Sequence, residues 1–470
     1  MQRGASVKIA SRDISAVSLV QEALDKAKKY ADYNIFISIN EDAAINRAKE
    51  IDEKIEKGEK VGRLAGVPYA CKDNFLSKNG ATTAASKILE PLKAPINATA
   101  IEKLESEGAI MIGRVNMDAF AHGSSTENSY FGVTKNSADT ERVAGGSSGG
   151  SAVAVALDIV PFATGTDTGG SIRQPASFNG VYGIKPTYGT ISRYGVVAMA
   201  SSLDCVGFIA RNTEDLDLLM DICAGQDVKD LTTLPDYYVN TEVQEPKKIG
   251  FLKDFDSDAI DVEIRDALKA KLDSLKKDGY EIVDLEMPIL KYALAVYYII
   301  TPAEIASNLS RYDGIRYGYR SDNAKDLNEI YGKTRFEGFM KENKRRIMTG
   351  NFVLSSGFYD AYYLKAQKVR TLIIKAFEDA FSKCDMILSP VSPNPAFKIG
   401  EKVNDPVAMY MEDILSVTLN LAGVPGVALP VGQTKSGLPL GLQLIGPRRS
   451  DKSLLKFAEK IGCKLDEENK

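Results

Sequence analysis

A single histidine, His122, stands among 470 residues, and that scarcity removes whole classes of chemistry. One imidazole without clustered cysteines cannot readily build a His-based zinc site, so no metal is expected. Any nucleophilic scheme with a histidine base would have to use this one residue. The five cysteines, Cys71, Cys205, Cys223, Cys384 and Cys463, are odd in number, scattered and free of CxxC spacing. They read as reduced thiols of a cytoplasmic protein rather than a disulfide frame. A basic excess is also missing. The formal net charge of −4 argues against wholesale binding of nucleic acid, although Lys344-Arg345-Arg346 forms a local basic patch. The first residues carry no continuous apolar core, so no signal peptide is expected. The longest apolar run, around Tyr292–Ile300, is too short to span a bilayer, and no membrane partner is expected.

What is present is an alternation of helix and strand signals. Val17, Val20, Leu24 and Ala27 share one helical face, as do Ala44, Ala48, Ile51 and Ile55, with Gly58 suited to ending the second helix. A polar-sided helix over 99–108 precedes a buried-strand candidate, 109–112, closed by Gly113. Further strand candidates are 249–252, 282–285, 386–388 and 427–429, with helical patterns between them, so the class is α/β. Residues 224–248 are polar and aperiodic, either a surface excursion or a domain boundary. Residues 292–381 are rich in Tyr and Arg and largely helical. Strand signals on both sides favour one large domain with a helical insertion.

The chemistry concentrates in residues 144–175, AGGSSGGSAVAVALDIVPFATGTDTGGSIRQP. Two glycine-serine clusters are joined there by an apolar helix and a strand. Glycines can make tight turns and nothing more. They also let backbone N–H groups converge on one oxygen beside a serine nucleophile. A phosphate-binding loop fails, because no lysine follows Gly150. Ser147 and Ser148 each centre a G-x-S-x-G, but His122 precedes them, opposite to the α/β-hydrolase order. Asp167-Thr168-Gly169 has no second copy to supply an aspartic-protease dyad. With histidine set aside, the remaining strong base is a lysine made neutral by burial. Lys72, between the apolar run 66–71 and polar turn residues, is such a lysine, although local sequence also suits a snorkelling surface residue.

The set of GVP-x-x-x-KDN around Lys72, GGSSGGSA around Ser147 and TDTGGSIRQP around Ser171 resembles the amidase-signature family. Lys72 and Ser147 are 75 residues apart, and Ser147 and Ser171 are 24 apart, as in that family's lysine, cis-serine and nucleophile. The resemblance spans nearly the whole chain. It implies a single large α/β domain over 1–470, a central mixed sheet flanked by helices. Its parts would be N-terminal helices over about 1–60, a signature core over about 61–224, a substrate-side helical insertion over about 289–381 and a C-terminal return over about 382–470. The resemblance further implies Ser171 as nucleophile, Ser147 as proton bridge and Lys72 as base. Amides of Thr168, Gly169, Gly170 and Ser171 would form the oxyanion hole, and Asp167, Arg173 and Ser148 would position the reacting groups.

Within the family, 116–118, 123–129, 183–189, 311–316 and 420–426 are similar to the glutamine-hydrolysing subunits of tRNA-dependent amidotransferases. That similarity implies glutamine as substrate, with Arg346 and Asp413 holding its carboxylate and ammonium. It implies no cofactor in this chain. A B-type kinase/transamidase subunit would use ATP and Mg and carry most of the tRNA contact, with a small C-type subunit beside it. The tRNA would be Glu-tRNA(Gln), with Asp-tRNA(Asn) as a second acceptor. Ala85, Cys71, Ala119 and His122 depart from the pattern, which has glycine, Ile or Leu, Glu and Met at those places. A stand-alone amidase for other small amides and a non-catalytic scaffold remain the alternatives.

Overall fold

The computed structural model describes residues 14–235, 237–253 and 257–463. Among the described residues, β1 (Phe36–Ile39), β2 (Pro68–Lys72), β3 (Ile110–Val115), β4 (Phe162–Asp167), β5 (Tyr182–Lys185) and β6 (Cys205–Ala210) form one half of a sheet. The other half is β7 (Lys248–Leu252), β8 (Glu281–Leu285), β9 (Met386–Pro390), β10 (Gly426–Gln433) and β11 (Pro439–Ile445). Their spatial order is β1-β3-β2-β4-β6-β5-β10-β11-β9-β7-β8 in one mixed sheet. β3, β2 and β4 run parallel at one end, β9, β7 and β8 at the other, and antiparallel pairs join the two groups.

The sheet is apolar on both faces, with successive side chains pointing to opposite sides. Tyr69 and Cys71 of β2 enter one hydrophobic cluster and Ala70 the other. Met111 is parted from Ile110 and Ile112 in the same way, and Phe208 from Ile209. The face of Ala70 is covered by α1 (Ala16–Lys29), α2 (Glu41–Glu56) and α4 (Gly149–Ala156), which follows α3 (Thr99–Ser106) in the chain. α5 (Arg173–Phe178) lies against β5, β10 and β11, and α6 (Thr213–Cys223) against β6. The first thirteen residues of the expected N-terminal helical part lie outside the described residues.

Two expectations change, and one alternative left open by the sequence is decided. Gly113 does not close β3 but lies inside it, opposite Ile39 of β1, where an added Cβ would sit 2.5 Å from the Ser38 carbonyl oxygen. The missing side chain is what lets β1 pair there. Residues 224–248 are a surface excursion rather than a domain boundary, because β7 beyond them rejoins the same sheet and Tyr237 and Tyr238 are buried in the core. The apolar run around Tyr292–Ile300 belongs to a longer helical stretch, Pro288–Arg311, which by length and composition alone could cross a bilayer. Short 3₁₀ turns at both ends lengthen it beyond the apolar run.

About half of that stretch packs inside the protein. After α7 (Val262–Lys277), it contains α8 (Ala293–Asn308), whose Val296, Ile300 and Ile305 are buried against the following helices. The helices that follow are α9 (Leu327–Gly338), α10 (Lys341–Leu354), α11 (Lys365–Phe381) and the shorter α12 (Pro406–Met411) and α13 (Val417–Ala422), of which α10, α11 and α13 pack on α8, and last comes α14 (Asp451–Ile461). Gly350 sets the crossing of α8 and α10: a Cβ there would overlap the Pro302 carbonyl. This close approach brings Arg346, one turn earlier on α10, over the Tyr298 ring at 5.3 Å.

Candidate active site

Parallel strands end together, and their carboxyl ends open onto loops, so residues at such ends converge. Lys72 is the last residue of β2 and Asp167 the last of the neighbouring β4. By two-residue alternation Lys72 shares the face of Ala70, on which α4 packs. The loop preceding α4 carries Ser147 and Ser148, and it reaches Lys72 there. Lys72 is fully buried. Its Nζ lies 2.8 Å from both Ser147 Oγ and Ser148 Oγ, 2.9 Å from Thr166 Oγ1 and 3.3 Å from the Thr166 carbonyl oxygen.

No carboxylate among the described residues bonds to this amine. Burial lowers its pKa to about 7, against the pull of the more distant Asp118, Asp167 and Asp204. Near neutrality a substantial fraction is therefore free amine, with two N–H groups to donate and one lone pair to accept a hydroxyl proton. Ser147 sits on a tightly held backbone, and the Gly146–Ser147 peptide bond is cis. Gly146 N–H donates to Gln174 Oε1 at 2.9 Å, and a side chain on Gly146 would collide with the Asp118 carboxylate and the Ser125 amide.

Ser171 lies in the loop between β4 and α5, with 8% of its surface exposed. Its carbonyl accepts the Ser148 N–H at 3.0 Å, which ties the two glycine-serine loops together. Asp167 braces this loop from beneath: Oδ1 accepts Gly170 N–H at 2.9 Å and Oδ2 accepts Ile172 N–H at 3.2 Å. Arg173, fully buried, donates through Nε to Asp167 Oδ2 and through Nη2 to Oδ1, both at 3.0 Å. Its Nη1 reaches Gln443 at 2.7 Å. Burial alone would raise the Asp167 pKa, but the Arg173 guanidinium and these N–H donors hold it at about 2.

Gly170 is a correction to the expected oxyanion donors. Its N–H is committed to the Asp167 carboxylate at 2.9 Å. Thr168, Gly169 and Ser171 are left as candidates. Thr168 Oγ1 donates to Asp204 at 2.6 Å, and Tyr297 packs so closely on Gly169 that a Cβ there would meet its hydroxyl at 2.5 Å.

A cavity of about 150 Å³ lies on the far side of Gly146, with walls including Asp118, His122, Ser125, Glu127, Arg346 and Tyr410. Asp118 and Ser125 are the wall it shares with the Ser147 loop. Ser171 is not among its lining residues. Arg346 is 3% exposed, donates from Nε to Glu342 at 2.9 Å and leaves Nη1 without a partner among the described residues. Asp413 lies behind the cavity wall. Ser124 Oγ and Tyr298 OH each donate to it at 2.7 Å, and burial raises its pKa to about 6. The structure therefore brings Arg346 to the cavity and keeps Asp413 one hydroxyl away. Sequence reasoning missed Thr166, Tyr298 and Glu127, none of which carries a local signal. It treated His122 as the one histidine available to serve as a base and as a departure from the family pattern, not as a contact for the substrate.

Residues 18–455 match the amidase family model, and the chain belongs to that family. Among curated relatives it is 49% identical over 457 residues to the A subunit of glutamyl-tRNA(Gln) amidotransferase from Agathobacter rectalis, covering 96% of this chain and 91% of that one. It is 48% identical to the protein of the same name from Coxiella burnetii, with 97% and 95% coverage. Its fold is similar to the crystal structure of the Thermotoga maritima protein of that name, with a TM-score of 0.79, 38% identity and coverage of 94% and 90%.

Proposed function

We propose that this chain hydrolyses glutamine and supplies the ammonia to a partner subunit that amidates Glu-tRNA(Gln). The observation that carries the chemistry is Lys72 Nζ, buried and near neutral, 2.8 Å from Ser147 Oγ. The choice among amides rests on the near-full-length similarity to glutamyl-tRNA(Gln) amidotransferase A subunits.

In this reading Ser171 Oγ attacks the side-chain amide carbon of glutamine as its proton passes to Ser147 and the Ser147 proton to Lys72. The tetrahedral oxyanion is met by N–H groups from Thr168, Gly169 and Ser171. Collapse breaks the C–N bond, the relay returns a proton to the leaving nitrogen, and ammonia departs from a glutamyl ester on Ser171. Water, deprotonated through the same relay, cleaves the ester and frees glutamate. Ser148, Asp167 and Arg173 hold the loops, and Arg346 receives the glutamine carboxylate, with Asp413 on the ammonium side. This chain needs no cofactor for these steps. ATP and Mg belong to a B-type kinase/transamidase partner, with a small C-type subunit completing a cytoplasmic complex.

The test is ammonia release from glutamine by the purified chain, alone and with its co-purified partners. Ser171→Ala is expected to abolish release and glutamine-dependent tRNA amidation while free ammonia still supports amidation. Strong hydrolysis of simple amides with none of glutamine would instead assign a stand-alone amidase. Full activity of Ser171→Ala would leave a scaffold.

A further inference from the structure

His122 is wholly buried and lines the cavity, and the chemistry of its neighbour fixes its proton. Asn343 lies 2.7 Å from His122 Nδ1 through its Nδ2, which also donates to the Ala119 carbonyl at 2.8 Å. Asn343 Oδ1 accepts the Met340 N–H at 3.2 Å. Reversing the amide would set Oδ1 against the Ala119 carbonyl and Nδ2 against the Met340 N–H, so the orientation is decided. Nδ1 is therefore an acceptor, and the neutral ring carries its hydrogen on Nε2. Burial, reinforced by Arg346, pulls the imidazole well below its usual range, so the ring stays neutral.

Nε2 has no hydrogen-bond partner among the described residues, and neither has Arg346 Nη1 on the same cavity. Both belong to residues that line one cavity, and buried donors left without acceptors are costly unless a ligand supplies them. The cavity holds about ten water-sized groups, enough for a free amino acid and too little for a polymer.

We propose that His122 Nε2–H is a second donor, beside Arg346, for a carboxylate of the substrate, and so determines specificity for an anionic amide. This rests on the reading of the substrate as an amino-acid amide and adds a contact that Met, usual at this place in the pattern, could not make. The histidine takes no part in proton transfer.

The test compares wild type, His122→Leu and His122→Gln, whose amide nitrogen can replace Nε2–H, in the full chain. Substrates are glutamine and butanamide, with glutarate as inhibitor. In His122→Leu the ratio of kcat/KM for glutamine to that for butanamide is expected to fall, and the glutarate Ki to rise, roughly 10- to 100-fold. His122→Gln should return both to within about threefold of wild type. An unchanged ratio and Ki in His122→Leu would overturn the inference. If wild type cleaves butanamide but not glutamine, the glutamine reading falls. The glutarate Ki then decides alone: a rise in His122→Leu supports the carboxylate contact, and no change or no inhibition removes it.

Discussion

Lys72 Nζ and Ser147 Oγ lie 2.8 Å apart at the meeting of a strand end and a glycine-rich loop, in a place where hydroxyls and a carbonyl are the amine's only hydrogen-bond partners among the described residues. That setting makes the lysine a base at neutral pH. Burial lowers its pKa from 10.5 to about 7, so the free amine grows as pH rises through 7. The kcat/KM for glutamine is expected to rise along a limb centred near pH 7 and to flatten above pH 8. Lys72→Met should lower kcat by about 10³-fold or more. A pH–rate profile that is flat from pH 6 to 8 would contradict the assignment.

The same shift links stability to pH. Between pH 7 and 10.5 the unfolded lysine holds a proton that the folded one has released, so stability rises with pH in that window. Urea denaturation at pH 7 and 9 should show wild type gaining stability relative to Lys72→Met. An equal change in both proteins would place the amine's pKa elsewhere.

Asp167 and Arg173 form a buried ion pair beneath Ser171. Removing the cation strands a carboxylate away from water, and Arg173→Met is expected to cost about 3–5 kcal/mol in chemical denaturation. Because Asp167 is held at about 2, below its ordinary 3.8, its stabilising contribution is complete above pH 4 and fades as pH falls toward 2. Wild type should therefore lose stability in that acid window more steeply than Asp167→Asn.

Arg346 is expected to act on binding rather than on bond cleavage. Arg346→Gln should raise KM for glutamine roughly 100-fold with a much smaller change in kcat, since a charged hydrogen bond present in ground and transition states alike is lost. A variant that loses kcat with KM unchanged would show that the guanidinium acts on the reacting centre instead.

Gly350→Ala tests how the helical block aims that guanidinium. The new methyl meets the Pro302 carbonyl, backbone that cannot swing aside, and overpacking of this kind costs about 1–3 kcal/mol. As α10 moves off α8, KM for glutamine is expected to rise about tenfold. Unaltered kinetics in a destabilised variant would mean that the shift is absorbed before Arg346.

The sequence by itself determined the α/β class and the serine-rich loop, because the periodicity of apolar residues and the run of glycines are local properties. The helix over Ala16–Lys29 and strands such as β9 and β10 are visible in apolar spacing alone. Lys72 and Ser147 are not a pair on local grounds. Only the 75-residue spacing shared with a family suggested it, and their contact depends on β2 and β4 ending side by side. The commitment of the Gly170 amide to Asp167, the placing of Asp413 behind the Ser124 hydroxyl and the fixed tautomer of His122 were decided by tertiary structure. Each depends on partners far away in the chain or on backbone direction. The sequence supplies the groups, while burial and geometry set which are charged, which are already bonded and which stay free to meet a substrate.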